Sequence, residues 1–203
     1  NTGTATQSVT VKDTTAPKLD GVPKGFTLII GQAATYEPTA TDLVDGNVPV
    51  TCTPASGSSL PLGTTTVTCS AKDAHGNTSS AKFDVSVQYG FNGLLAPYDA
   101  NKSYKIKSAI PLKWQFTNSS GAVLASAAAQ PSVSIQQVNN GVASSDVVTL
   151  DDAGFSGLQY DSVTNTWQFN WKTTGYSDGV YNVYIQSGLA GQKIGPFSVK
   201  LAK

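Results

Sequence analysis

The chain has no methionine, one histidine, one glutamate and two cysteines in 203 residues. Each scarcity excludes something. Two cysteines without a Cys-x-x-Cys pair, beside a single imidazole, make a zinc site improbable. One histidine leaves a serine-hydrolase constellation little to work with, and no Gly-x-Ser-x-Gly elbow occurs. A glycosidase needs two opposed carboxylates, whereas Glu37 stands alone before Pro38 and the aspartates cluster in turns, at 42 and 45 and at 151 and 152. Charge is sparse at 13% and balances to zero, so the basic face that a nucleic-acid binder needs is missing. No run of eighteen apolar residues is present, which excludes a helical membrane span. With no initiating methionine and no signal peptide, the sequence reads as a mature or excised piece.

Threonine, serine, glycine and valine fill the space that charge leaves. That bias favours pleated strands and turns over helices, and no window shows a helical period. A chain of this length accommodates two all-β sandwiches of about 100 residues each. Both cysteines sit in short Val/Thr runs, Val50-Thr51-Cys52 and Val67-Thr68-Cys69. Such flanks fit a structural disulfide worth about 3 kcal/mol for a loop of this size, and hence an oxidising, extracytoplasmic setting. A pair of buried free thiols is the alternative.

Strands are expected at 26–30, 33–36, 48–53, 64–70 and 81–88, with turns at Gly31-Gln32, Asp45-Gly46 and Gly57-Ser58. Residues 1–13 align with residues 77–89 at a shift of 76, pairing Asn1, Thr2, Ala5, Val9 and Val11 with Asn77, Thr78, Ala81, Val85 and Val87. A repeat at domain spacing points to tandem modules. The first 13 residues are then an orphan terminal strand, either the last strand of a preceding repeat or a donor that completes a neighbour's sheet. Asp13 to Pro17 forms a linker, extended at Ala16 because Pro17 disfavours the helical region there.

The ordered landmarks Asp-Thr-Thr-Ala-Pro (13–17), Ala-Thr-Asp (40–42), Val-x-Cys-x-Pro (50–54), Leu-Pro-Leu-Gly-x-Thr (60–65), Val-x-Cys (67–69), Ala-x-Asp (71–73) and Gly-Asn (76–77) resemble the hyalin repeat (HYR) module. The resemblance implies an immunoglobulin-like sandwich over 14–88, a Cys52–Cys69 bridge, extracellular adhesion and no catalytic residue. Leu60 departs from it, standing where the family often has an aromatic residue.

Residues 89–203 hold no cysteine and read as a second sandwich. Leu112, Trp114 and Phe116 share one face of a strand, as do Trp167, Phe169 and Trp171. Segments 132–138 and 142–150 flank Asn139-Asn140-Gly141, a type I′ hairpin signal, and 180–186 with 193–201 supply the closing strands. Gly93 to Pro97, Ala-Ile-Pro-Leu-Lys-Trp (109–114), Leu-x-Tyr-Asp (158–161) and Trp-Lys-Thr (171–173) resemble a family of small immunoglobulin-like domains with a Pro-x-Lys-aromatic motif in secreted bacterial proteins. Members often carry a cysteine pair in the region equivalent to 120–185, which is absent here.

Candidate sites are few. Asp13, Asp42, Asp45 and Asp73 can supply oxygen ligands to calcium, with local turn capping as the competing role. No other cofactor is implied. His75, in the turn Asp73-Ala74-His75-Gly76-Asn77, is expected to be solvated. The tryptophans belong to a core; Tyr98, Tyr176 and Tyr184 are the aromatics expected to face solvent, with Tyr176 and Tyr184 candidate sugar contacts. The expectation is a non-catalytic, secreted or cell-surface stalk or spacer that partners neighbouring modules or subunits of its own kind, with strand exchange as one route of assembly. The alternative is a carbohydrate-binding accessory region of a secreted hydrolase that contacts surface glycans.

Overall fold

A computed structural model describes residues 3–149, 157–188 and 191–203. Asn1, Thr2, Leu150, Asp151 and Asp152, which enter the expectations above, lie outside them. The described residues contain strands and one 3-10 turn at Ala127–Ala129, and no helix is long and apolar enough to cross a membrane.

The strands of the first half are β1 (Lys18–Asp20), β2 (Phe26–Ile29), β3 (Ala33–Ala34), β4 (Thr39–Asp42), β5 (Gly46–Val48), β6 (Val50–Thr53), β7 (Ser58–Ser59), β8 (Gly63–Lys72) and β9 (Thr78–Gln88). They form a β1-β4-β5 sheet, a β2-β9-β8-β6 sheet and a small β3-β7 pair. The strand expected at 48–53 is two strands, because the chain leaves one sheet at Val48 and enters the other at Val50. β1, β4 and β7 were not expected, since two to four residues are too few to show alternation.

Ala40 and Val48 from one sheet meet Ala71 and Val50 from the other in a small core. In β8 the buried positions Val67, Cys69 and Ala71 alternate with half-buried Thr68 and exposed Ser70 and Lys72, as a strand with one dry face requires. Cys52 and Cys69 face each other in the β6–β8 register and are disulfide-bonded. Tyr36 packs edge-on against Phe83 and donates its hydroxyl proton to the Pro54 carbonyl.

Residues 3–17 pair with no strand among the described residues, and most are exposed, Val9 and Val11 at 76% and 92%. An orphan strand is expected there, and an extended segment becomes a strand only when another edge satisfies its backbone groups.

The second half comprises β10 (Gly90–Phe91), β11 (Ser103–Lys105), β12 (Ala109–Trp114), β13 (Phe116–Thr117), β14 (Ser132–Asn139), β15 (Val142–Thr149), β16 (Gln159–Asp161), β17 (Thr166–Lys172), β18 (Gly179–Gln186) and β19 (Lys193–Ala202). A β11-β19-β18-β14-β15 sheet and a β12-β17-β16 sheet enclose the core. Cross-strand partners Ile110↔Trp171, Leu112↔Phe169 and Trp114↔Trp167 are all buried, as their phase predicts. The hairpin forms with Asn139 opposite Val142, and Asn140 and Gly141 take φ of 52° and 79°, the left-handed pair a type I′ turn demands.

By contact the chain divides into two compact units, one of residues 1–26, 33–58 and 66–85, the other of residues 27–32, 59–65 and 86–203. The described residues form a nearly all-β fold, and tandem immunoglobulin-like sandwiches fit this topology.

Candidate carboxylate site at the entry to the first unit

Three stretches far apart in sequence bring four aspartates together. Asp13 sits in the segment leading to β1. Asp42 ends β4, and Asp45 lies in the turn of the β4–β5 hairpin. Asp73 follows β8 in the turn to β9. One carboxylate oxygen from each lies within 4.8 Å of the others.

The local fold explains the placement. Asp42 Oδ1 accepts the amides of Val44 and Asp45 at 2.8 and 3.1 Å. Asp73 Oδ1 accepts those of His75 and Asn77 at 2.9 and 2.7 Å, and Asp13 Oδ1 accepts that of Thr15 at 3.0 Å. These are Asx-type turns. Turn capping and convergence coexist here: Oδ1 of Asp13, Asp42 and Asp73 holds a turn. Oδ2 of Asp13 and of Asp42 is then buried without a hydrogen bond.

His75 is not the merely solvated turn residue expected. Its Nδ1 lies 3.1 Å from Asp45 Oδ2 and 3.5 Å from Asp13 Oδ2, although the side chain stays 44% exposed. The hydrogen bond to Asp45 and that carboxylate's charge hold the imidazole pKa above its ordinary value. Burial pushes the Asp73 carboxyl up, but hydrogen bonds from the Asn77 side chain and from backbone amides outweigh it and leave the pKa lowered. Asn77 donates to Asp73 Oδ2 at 2.7 Å and reaches the Asp13 carbonyl at 3.5 Å. Sequence reasoning missed His75 and Asn77 as neighbours of the aspartates; their spacings of two and four from Asp73 were the available signal.

The tyrosines do not assemble into a platform. Tyr176 is half-buried, edge-on to Trp171 and Tyr181 at 5.2 and 5.6 Å between ring centres. Tyr184 points away from the core as its phase predicts, but Lys193 Nζ lies 4.0 Å from its ring centre and its hydroxyl donates to Gln136 Oε1. Tyr98 is half-buried too, donating to the Ser198 carbonyl at 2.8 Å.

Residues 12–87 match the family model of the HYR domain. No curated protein matches. Among solved structures, extracellular domains 3–5 of Drosophila OTK align at 12% identity and TM-score 0.37, covering 92% of this chain and 61% of that one. This chain therefore spans about three fifths of the OTK fragment. A titin A168–A169 pair aligns at 12% identity and TM-score 0.35, covering 92% and 98%. Bacteroides ovatus SGBP-B, solved with a mixed-linkage heptasaccharide, aligns at 15% identity and TM-score 0.31, covering 93% and 48%. At such scores the architecture rests on the strand topology itself.

Proposed function

We propose that this chain is an extracellular structural or adhesive module, a spacer in which a HYR-like unit and a second sandwich follow one another along the chain. The carrying observation is the Cys52–Cys69 bridge, joining β6 to β8 inside the stretch that matches the HYR model. A disulfide at this place suits an oxidising environment and restrains the two strands that would separate under load. Domain limits near 14–88 and 89–203 belong to the same reading, and so do partners of the chain's own kind. No residue is given a catalytic role.

Stretching the intact chain from its two ends tests this. Each unit should resist extension. Reduction of the bridge should lengthen the first unit's extension by about 60 Å, the reach of the residues between the cysteines. A chain that extends without resistance overturns the reading. So does a glycan panel that gives binding lost in Tyr176→Ala or Tyr184→Ala, which would favour the accessory carbohydrate role.

One observation supports assembly through strand exchange: Val9 and Val11 alternate along an unpaired, exposed segment. Such a segment can add to a free sheet edge in another copy. Light scattering of the intact chain should then show multimers that removal of residues 1–12 abolishes, and a strictly monomeric intact chain would refute it.

A further inference from the structure

The four aspartates hold more negative charge than their surroundings offset. Asp73 is 6% exposed, Asp42 8%, and the Asp13 side chain 4%. Among the described residues no lysine forms an ion pair with any of them, and His75 is the basic side chain in contact, with Asp13 and Asp45. Withdrawing carboxylates from water is costly unless charge or hydrogen bonds compensate, and like charges brought together add to that cost. Hydrogen bonds compensate both oxygens of Asp73 and one oxygen each of Asp13, Asp42 and Asp45. They do not reach Asp13 Oδ2 or Asp42 Oδ2, both buried without a hydrogen bond; Asp13 Oδ2 has only the His75 imidazole at 3.5 Å.

We infer that this cluster is a calcium site in which Asp13, Asp42, Asp45 and Asp73 are the ligands. The donor set is all oxygen and mostly anionic, as a hard divalent cation prefers. Calcium–oxygen distances of about 2.3–2.6 Å put ligands on opposite sides of the ion about 4.6–5.2 Å apart. Oxygens that already lie within 4.8 Å of one another fit inside that sphere without rearrangement of the strands. Turn-borne carboxylates suit calcium's loose geometry better than magnesium's strict octahedron, and water completes the shell.

The arrangement also says what the ion does. Asp42 and Asp45 belong to the hairpin of one sheet, Asp73 to the hairpin of the other, and Asp13 to the unpaired segment ahead of β1. An ion bound to all four closes one end of the sandwich and clamps the leading segment to it. The direction in which residues 3–12 leave the unit is then fixed by calcium. Without it, Thr15, Asn77 and His75 are what hold Asp13 among the described residues.

The test uses the whole chain, stripped with EDTA and titrated with calcium chloride by calorimetry and thermal unfolding. One equivalent should bind, at least about tenfold tighter than magnesium. At about 100-fold excess over Kd, the first unit's unfolding midpoint should rise by about 10 °C. Asp42→Asn and Asp13→Asn keep the Oδ1 acceptor that holds each turn and remove only charge. Each should weaken calcium binding by about tenfold or more while unfolding, in EDTA, no lower than the parent. Backbone amides at residues 10–12 should become ordered with calcium in the parent and not in Asp13→Asn. The inference is overturned by the absence of saturable binding, by equal midpoints in calcium and EDTA, or by magnesium binding as tightly. Zinc binding that His75→Ala abolishes, with none for calcium, overturns it as well. Asparagine variants that unfold early in EDTA would mark a purely structural role and overturn it too.

Discussion

Removal of the Cys52–Cys69 bridge should cost the first unit about 3 kcal/mol, and the figure follows from where the bridge sits. The cysteines are 17 residues apart. Closing a loop of that size removes denatured-chain entropy worth about 3 kcal/mol at 25 °C in the chain-entropy model. Cys69 is fully buried, so alanine is the substitution of choice; serine would bury a hydroxyl as well. The double variant Cys52→Ala/Cys69→Ala is unfolded in urea and followed by far-UV circular dichroism. A small unit has an m-value near the low end of the range, about 1 kcal/mol per molar urea, so the midpoint should fall by about 3 M. Trp114, Trp167 and Trp171 all lie in the second unit, and their fluorescence assigns that unit's transition. Reduction of the unmutated chain should reproduce the shift. A loss below about 1 kcal/mol, or a fall confined to the tryptophan transition, would refute the argument that loop closure around β6 and β8 stabilises the first unit.

Two further outcomes are expected in the second unit. Trp167 Nε1 donates to Ser126 Oγ at 3.1 Å in a buried pair; Ser126→Ala strands that donor and should cost about 1–3 kcal/mol in tryptophan-monitored denaturation. A loss below about 0.5 kcal/mol would show that the indole finds another acceptor. Asp161 has its carboxyl held below the ordinary range, first by the Thr164 hydroxyl and then by the Val163 amide. A lowered folded pKa contributes stability above the unfolded value of about 3.9 and loses it as pH falls through the folded value. Asp161→Asn should therefore flatten the acid limb of the stability profile below about pH 4, and superimposable limbs would contradict it.

Sequence alone carried the all-β architecture because alternation is a local property. Ile110 to Phe116 and Trp167 to Trp171 declare a buried face by their phase, and the structure buries each of those side chains. The Asn140-Gly141 turn was equally legible, since its backbone conformation depends on those two residues. The short strands β1, β4 and β7 were not, because their pairing is settled by partners distant in the chain.

The carboxylate cluster divides the same way. That Asp13, Asp42, Asp45 and Asp73 would sit in turns follows from each aspartate's own backbone, and so does the capping by Oδ1. That the four would meet, leave two oxygens buried without a hydrogen bond, and draw in His75 depends on how two sheets and a leading segment close at one end. Residues 13, 42–45 and 73 share no period. Only long-range packing brings their charges within one another's reach, and that packing is decided by the burial of valines, alanines and the bridged cysteines elsewhere in the unit.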